Sequence, residues 1–159
     1  MYSGFGGEEC IISEKWFMIV MILVVFLFPC GFCLEKMMAF ETIYIRADGS
    51  VEPYYAPIQI TGDVYTLTGD ISSNVDGIVI EKNDTILDGA GRSLQGMNVQ
   101  SSIGIYLMGV SNVTVENIVV TSFENGILLD MYSVNNVIAD NSFVGNDYGV
   151  SCWAFSARN

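Results

Sequence analysis

Short runs in which β-branched or apolar residues alternate with polar ones fill the second half of this chain, and each set of runs opens on a glycine. Gly104, Gly126 and Gly149 begin the stretches GIYLMGVSNVTVEN, GILLDMYSVNNVIADN and GVSCWAF, and they stand 22 and 23 residues apart. Alternation with a period of two predicts strands, and a fixed interval of this length between similar strand sets predicts the coils of a solenoid. No segment outside the leader spaces its apolar residues as a helix would. The strands are too short and too frequent for a fold that alternates strands with helices.

Aligning the coils on their glycines gives columns. Ile105, Ile127 and Val150 fall together, as do Leu107, Leu129 and Cys152. Val113 matches Val137, Val115 matches Ala139 and Val120 matches Phe143. An apolar column repeated once per coil predicts an inward stack, in which each coil buries its side chains against the next and supplies the core that one coil lacks. Residues between the columns, such as Tyr106, Thr114 and Glu116, are expected to point outward. Asparagine has columns of its own: Asn112 with Asn136, and Asn117 with Asn141. These read as structural corners. Asparagine tolerates left-handed backbone, and its amide bonds local backbone or a stacked amide of the next coil. Gly104, Gly126 and Gly149 are structural in the same sense.

Upstream, residues 42–45 predict a strand and Asp48-Gly49 a turn, while Pro53 and Pro57 bracket an extended loop. Residues 63–71 predict another strand, ended by Gly69. From Gly77 the coils begin, with strands at 78–81 and 85–87 separated by a polar corner, a tight turn at Gly89 and Gly91, and a bulging loop at 96–102. The organisation is therefore a targeting segment at 1–34, a linker at 35–41, N-terminal strands or a cap at 42–76, and coils over 77–159.

Residues 16–28, WFMIVMILVVFLF, are continuously apolar, with Lys15 before them and Pro29 after. Gly31 and Cys33 offer small residues for cleavage, so the segment reads as a secretory signal peptide. A retained anchor over residues 16–34 is the alternative, since the run then approaches the ~20 residues of a membrane span. Glu8, Glu9 and Glu14 depart from a positive leader and point to a start later than Met1. Export to the periplasm, the cell surface or the medium follows from either reading.

The net charge is -12 and histidine is absent. That balance repels phosphate backbones and excludes nucleic-acid binding through a basic patch. It also opposes attachment to anionic lipid, leaving residues 16–34 as the route to a membrane. Cys30 and Cys33 make a CxxC with no βαβ setting and no partner ligands for zinc, so neither a redox motif nor a metal site is read there.

The segments TIYIRADGSVEP, GDVYTLTGDI, GIVIEKNDTILDGAGRSLQG, SNVTVENIVV and NNVIADNSFVGNDYGV resemble secreted β-helix proteins of the NosD-like group. The likeness covers about residues 42–152. It implies an all-β fold, a right-handed parallel β-helix with coils of about 22–27 residues behind a signal or anchor helix. The group is named for a periplasmic accessory protein of copper-enzyme maturation, and its repeats are similar to the module of pectin-degrading enzymes. The sequence stops a few residues into a new coil with no polar cap, which reads as a truncated member or as a chain that stacks end to end with another copy.

Candidate chemistry is sparse. Asp84 and Asp88 stand four apart on one strand, about 13 Å at ~3.3 Å per residue, beyond either hydrolytic geometry. Asp88 aligns with Glu116, yet Asp88-Gly89 also reads as a turn. No catalytic, cofactor or metal residue is assigned, and no cofactor is expected. The ligand face is placed at Tyr106, Asp130, Tyr132 and Tyr148, because tyrosine rings beside polar groups hold sugar rings. Asn83 and Asn112 head glycosylation sequons. The expected function is a non-enzymatic secreted or cell-surface scaffold or adhesion module that contacts polysaccharide or envelope glycan. A fragment of a carbohydrate-active lyase or hydrolase is the first alternative, and an accessory factor in metalloenzyme maturation the second.

Overall fold

The computed structural model describes residues 39–130 and 132–153. The signal or anchor segment and the Cys30–Cys33 pair lie outside the described residues. Sixteen strands are found among the described ones: β1 (Ala39–Phe40), β2 (Ile43–Ile45), β3 (Val51–Glu52), β4 (Ile58–Thr61), β5 (Val64–Leu67), β6 (Ile71–Ser73), β7 (Ile78–Ile80) and β8 (Ile86–Asp88), then β9 (Ser93–Gln95), β10 (Ile103–Met108), β11 (Thr114–Glu116), β12 (Val119–Thr121), β13 (Asn125–Asp130), β14 (Val137–Ala139), β15 (Ser142–Val144) and β16 (Tyr148–Cys152). No helix occurs among these residues, so none is present there to cross a membrane.

The strands stack into three sheets. One runs β1-β6-β9-β12-β15, a second β16-β13-β10-β7-β2-β3, and a third β14-β11-β8-β5-β4. Each sheet takes one strand per coil, and the pairings between coils are parallel. The chain is a β-solenoid. Its period starts earlier than Gly77. β2, β5 and β6 already form a coil, with Ile43 beside Ile78, Tyr65 beside Leu87 and Ile71 beside Leu94. Two antiparallel additions hide that coil in the sequence: β3 folds back on β2 and β4 on β5.

The inward columns of the long second sheet are those expected. Ile43, Ile78, Ile105, Ile127 and Val150 lie in register, as do Ile45, Ile80, Leu107, Leu129 and Cys152. Ile105, Leu107, Ile127 and Leu129 are fully buried. Val120 does lie beside Phe143. The third sheet departs from the expectation by one residue. Val115 pairs with Ile138 and Thr114 with Val137, so Val113 faces Asn136 and not Val137. The fourth coil carries one extra residue in the corner before β14. A one-residue slip turns a side chain over, and Val113 is buried while Val137 is half exposed.

The same slip divides the asparagines into two roles. Asn112 and Asn117 sit at corners with φ of 57° and 55°, the left-handed region. Their partners in the fourth coil are Asn135 and Asp140, at 56° and 54°. Asn136 and Asn141 stand one residue further on and turn inward. Asn136 Oδ1 accepts from Val113 N at 2.9 Å and its Nδ2 donates to the Val110 carbonyl at 3.1 Å. Asn141 makes the same pair with Ile118 N and the Val115 carbonyl, and Asn146 with Phe123 N and the Val120 carbonyl. The amides bond the backbone of the preceding coil, not one another. Backbone groups at a corner have left the sheet ladder and need a partner, and a side-chain amide supplies both halves.

At the N-terminal end Tyr65 closes the inward column of the third sheet. It is buried, and its hydroxyl donates to the Gly49 carbonyl at 2.8 Å, tying down the β2–β3 turn. Gly49 has a φ of 89°, as that turn requires. Burial raises the Tyr65 pKa above the ordinary tyrosine value. The unfolded chain therefore loses this proton first as the pH rises. The contribution to stability is complete below pH ~10 and falls as the pH passes through the tyrosine range. Denaturant midpoints measured from about pH 8 to about pH 11 should fall, and the fall should be shallower in Tyr65→Phe.

Candidate functional site

The outer face of the long sheet carries two columns. The first is Tyr44, Val79, Tyr106, Leu128 and Ser151, and the second, one pleat on, includes Glu81, Met108 and Asp130. Strands ~4.8 Å apart place these side chains in rows along the solenoid axis. Val79 and Leu128 are buried although they face outward, and the tyrosines beside them are half-buried. An outward face of this kind is apolar where a solvated sheet face would be polar.

Tyr106 and Asp130 meet on this wall. Asp130 lies on the neighbouring strand, paired with Met108, two residues on from Tyr106, and the Tyr106 pKa is raised, first by burial and then by the Asp130 charge. Tyr132 follows Asp130 on the adjoining turn, with a φ of 70°, and is exposed. Tyr148 starts β16 in register with Asn125, at the margin of the face, and is also exposed. The fold thus brings Tyr106 and Asp130 together and leaves Tyr132 and Tyr148 at the edges. Sequence reasoning missed Tyr44, Arg46 and Glu81, which extend the wall towards the N-terminus. Arg46 lies over the Tyr44 ring, 4.0 Å from its centroid. Its Nε donates to Glu52 at 2.8 Å and its Nη1 to Glu81 at 3.1 Å. Matching Ile43 with Ile78 would have revealed these residues.

The remaining candidates are committed elsewhere. Asp88 does lie in register with Glu116. Its Oδ1 accepts from Ala90 N at 2.8 Å, which closes a turn, and from Asn117 Nδ2 at 3.1 Å. Asp84 Oδ1 accepts from Asn112 Nδ2 at 2.9 Å. Each carboxylate holds a corner amide of the next coil. Asn83 and Asn112 are exposed; the Asn83 Oδ1 accepts from Ser111 N at 2.8 Å.

A stack of single strands closed on three sides, with function left to its outer wall, defines a parallel β-helix. Residues 42–159 match the family described as periplasmic copper-binding protein (NosD), and the chain belongs to that family. No curated protein and no solved structure matches it.

Among the described residues no cluster of side chains that could hold copper occurs. Copper needs imidazole or soft sulfur ligands. The chain has no histidine, and no cluster of three or more Cys, Asp or Glu side chains occurs among the described residues. Met108 faces outward on the long sheet while Cys152 belongs to an inward column, so these two sulfurs cannot share an ion.

Proposed function

We propose that this protein is an exported β-helix scaffold of the cell envelope that binds glycan on the outer face of its long sheet and carries out no chemistry on it. The observation that carries this reading is the Tyr106–Asp130 pair on an apolar wall: a ring face for a sugar ring beside a carboxylate for its hydroxyls. The committed carboxylates at Asp84 and Asp88 support a binding role over a hydrolytic one.

The test pairs a glycan array with an assay for reducing-sugar release. Binding without release is the expected result. Tyr106→Ala and Asp130→Ala should each weaken binding by about tenfold or more, equal to ~1.4 kcal/mol. Release of sugar would defeat the scaffold reading.

The family match favours a second reading, an accessory role in maturing a metalloenzyme. With no copper ligand set among the described residues, that role would be played through the same wall, as a docking surface for a protein. A copper-enzyme partner whose retention is lost in Tyr106→Ala, with no glycan bound on the array, would favour it.

A further inference from the structure

Two depressions meet at the N-terminal end of the long sheet. One, about 550 Å³, is lined by Glu41, Thr42, Tyr44, Glu52 and Tyr55 among others. The second, about 470 Å³, shares Glu41, Thr42 and Tyr44 and continues to Asn74, Val75 and Asp76. Shared lining makes them one trough. Its apolar surface comes from Tyr55, whose ring meets Tyr54 edge-on at 5.4 Å, and from Val75; all three are exposed. Its charge comes from Glu41, Glu52 and Asp76. Arg46 also lines the first depression, but its guanidinium is divided between Glu52 and Glu81, which leaves Glu41 and Asp76 as the carboxylates it does not offset. Glu41 is exposed and enters no ion pair among the described residues.

We propose that this trough, at the N-terminal end of the face that carries Tyr106 and Asp130 and centred on Glu41 and Tyr55, is a second binding site, for a glycan built of amino sugars with free amino groups. It shares with the reading above only the premise that the protein binds glycan. Three arguments select the ligand. An aromatic and apolar floor takes the flat face of a sugar ring. Surplus carboxylate attracts an ammonium group and repels the polyuronates that the pectin-type resemblance would imply. A peptide laid in as an added strand is disfavoured, because the edge strand β3 has two residues and ends at Pro53, which has no N–H to donate.

The experiment is calorimetric titration of the full chain at about pH 6, where carboxylates are ionised. The probes are a chitosan hexamer, its fully acetylated counterpart, oligogalacturonate and oligolysine. Chitosan should bind, the acetylated form at least about tenfold more weakly, and oligogalacturonate not at all. Glu41→Gln and Tyr55→Ala should each cost about tenfold or more in chitosan affinity, while Val144→Ala, an exposed position on β15 that lines neither depression, leaves it unchanged. Both trough side chains are exposed, and unchanged circular dichroism would confirm that the variants fold. Equal chitosan affinity in wild type, Glu41→Gln and Tyr55→Ala overturns the trough. So does oligolysine binding as tightly as chitosan with the same sensitivity to Tyr55→Ala. Chitosan binding lost only in Tyr106→Ala sinks the trough and leaves the wall standing. An empty glycan array together with chitosan binding lost in Tyr55→Ala does the reverse.

Discussion

Gly104→Ala should destabilise the protein by about 3 kcal/mol or more, a large share of the ~5–15 kcal/mol that holds a typical domain together. Gly77, Gly104 and Gly126 stack where each coil joins the long sheet. A Cβ on Gly104 would lie 2.4 Å from the Gly126 carbonyl oxygen and 2.6 Å from a methyl of Val120. The oxygen belongs to backbone held in the ladder between coils, so it cannot move without parting the strands. Gly77→Ala should behave alike, since its Cβ would lie 2.4 Å from the Gly104 oxygen. Two controls separate crowding from backbone strain. Gly149 belongs to the same column, yet its nearest neighbour would be 3.5 Å away, so Gly149→Ala should be nearly neutral. Gly145 has open space around it but a φ of 66°, so Gly145→Ala should cost only about 1 kcal/mol. Urea midpoints of the four variants measure all of this. Equal losses at Gly104 and Gly149 would contradict the stacking.

Asn136→Ala should cost about 2–3 kcal/mol by the same assay. The Val110 carbonyl keeps a second partner in Val134 N, but the Val113 N–H loses the acceptor it has in Asn136. Asn136 is buried, so water cannot replace the lost amide. Asn141 and Asn146 make equivalent bonds from half-buried positions, and their alanine variants should lose less. Asn136→Asp tests the mechanism. It keeps an acceptor for Val113 N but sets a buried charge against a carbonyl, and should be no better than alanine. If all three alanine variants lose equal stability, burial is not what sets the cost.

The candidate site was half legible. Tyr106, Asp130 and Tyr148 belong to coils whose opening glycines announce the period, so their nearness to the wall could be read from spacing. Tyr44, Arg46 and Glu52 belong to a coil interrupted by residues 46–63, which carry the two antiparallel strands β3 and β4. An insertion of that size removes the interval by which a repeat is recognised. The trough was invisible for a further reason: Glu41 and Glu52 are brought together by the β2–β3 hairpin, and Asp76, at the far end of that coil, comes beside Glu41 only when β7 pairs with β2.

Periodicity alone determined that this chain is a solenoid, which columns of the long sheet face inward, and that glycine opens the coils from Gly104 onward. Those facts follow from steric and hydrophobic rules that act within one turn and repeat. Register in the third sheet was decided by the tertiary structure, through one additional corner residue before β14. That single residue made Asn136 a buried bridge to the coil below and left Asn135 as the left-handed corner. Pairing between coils is chosen by the fit of whole strands, and no local rule in the sequence counts the residues a corner will absorb.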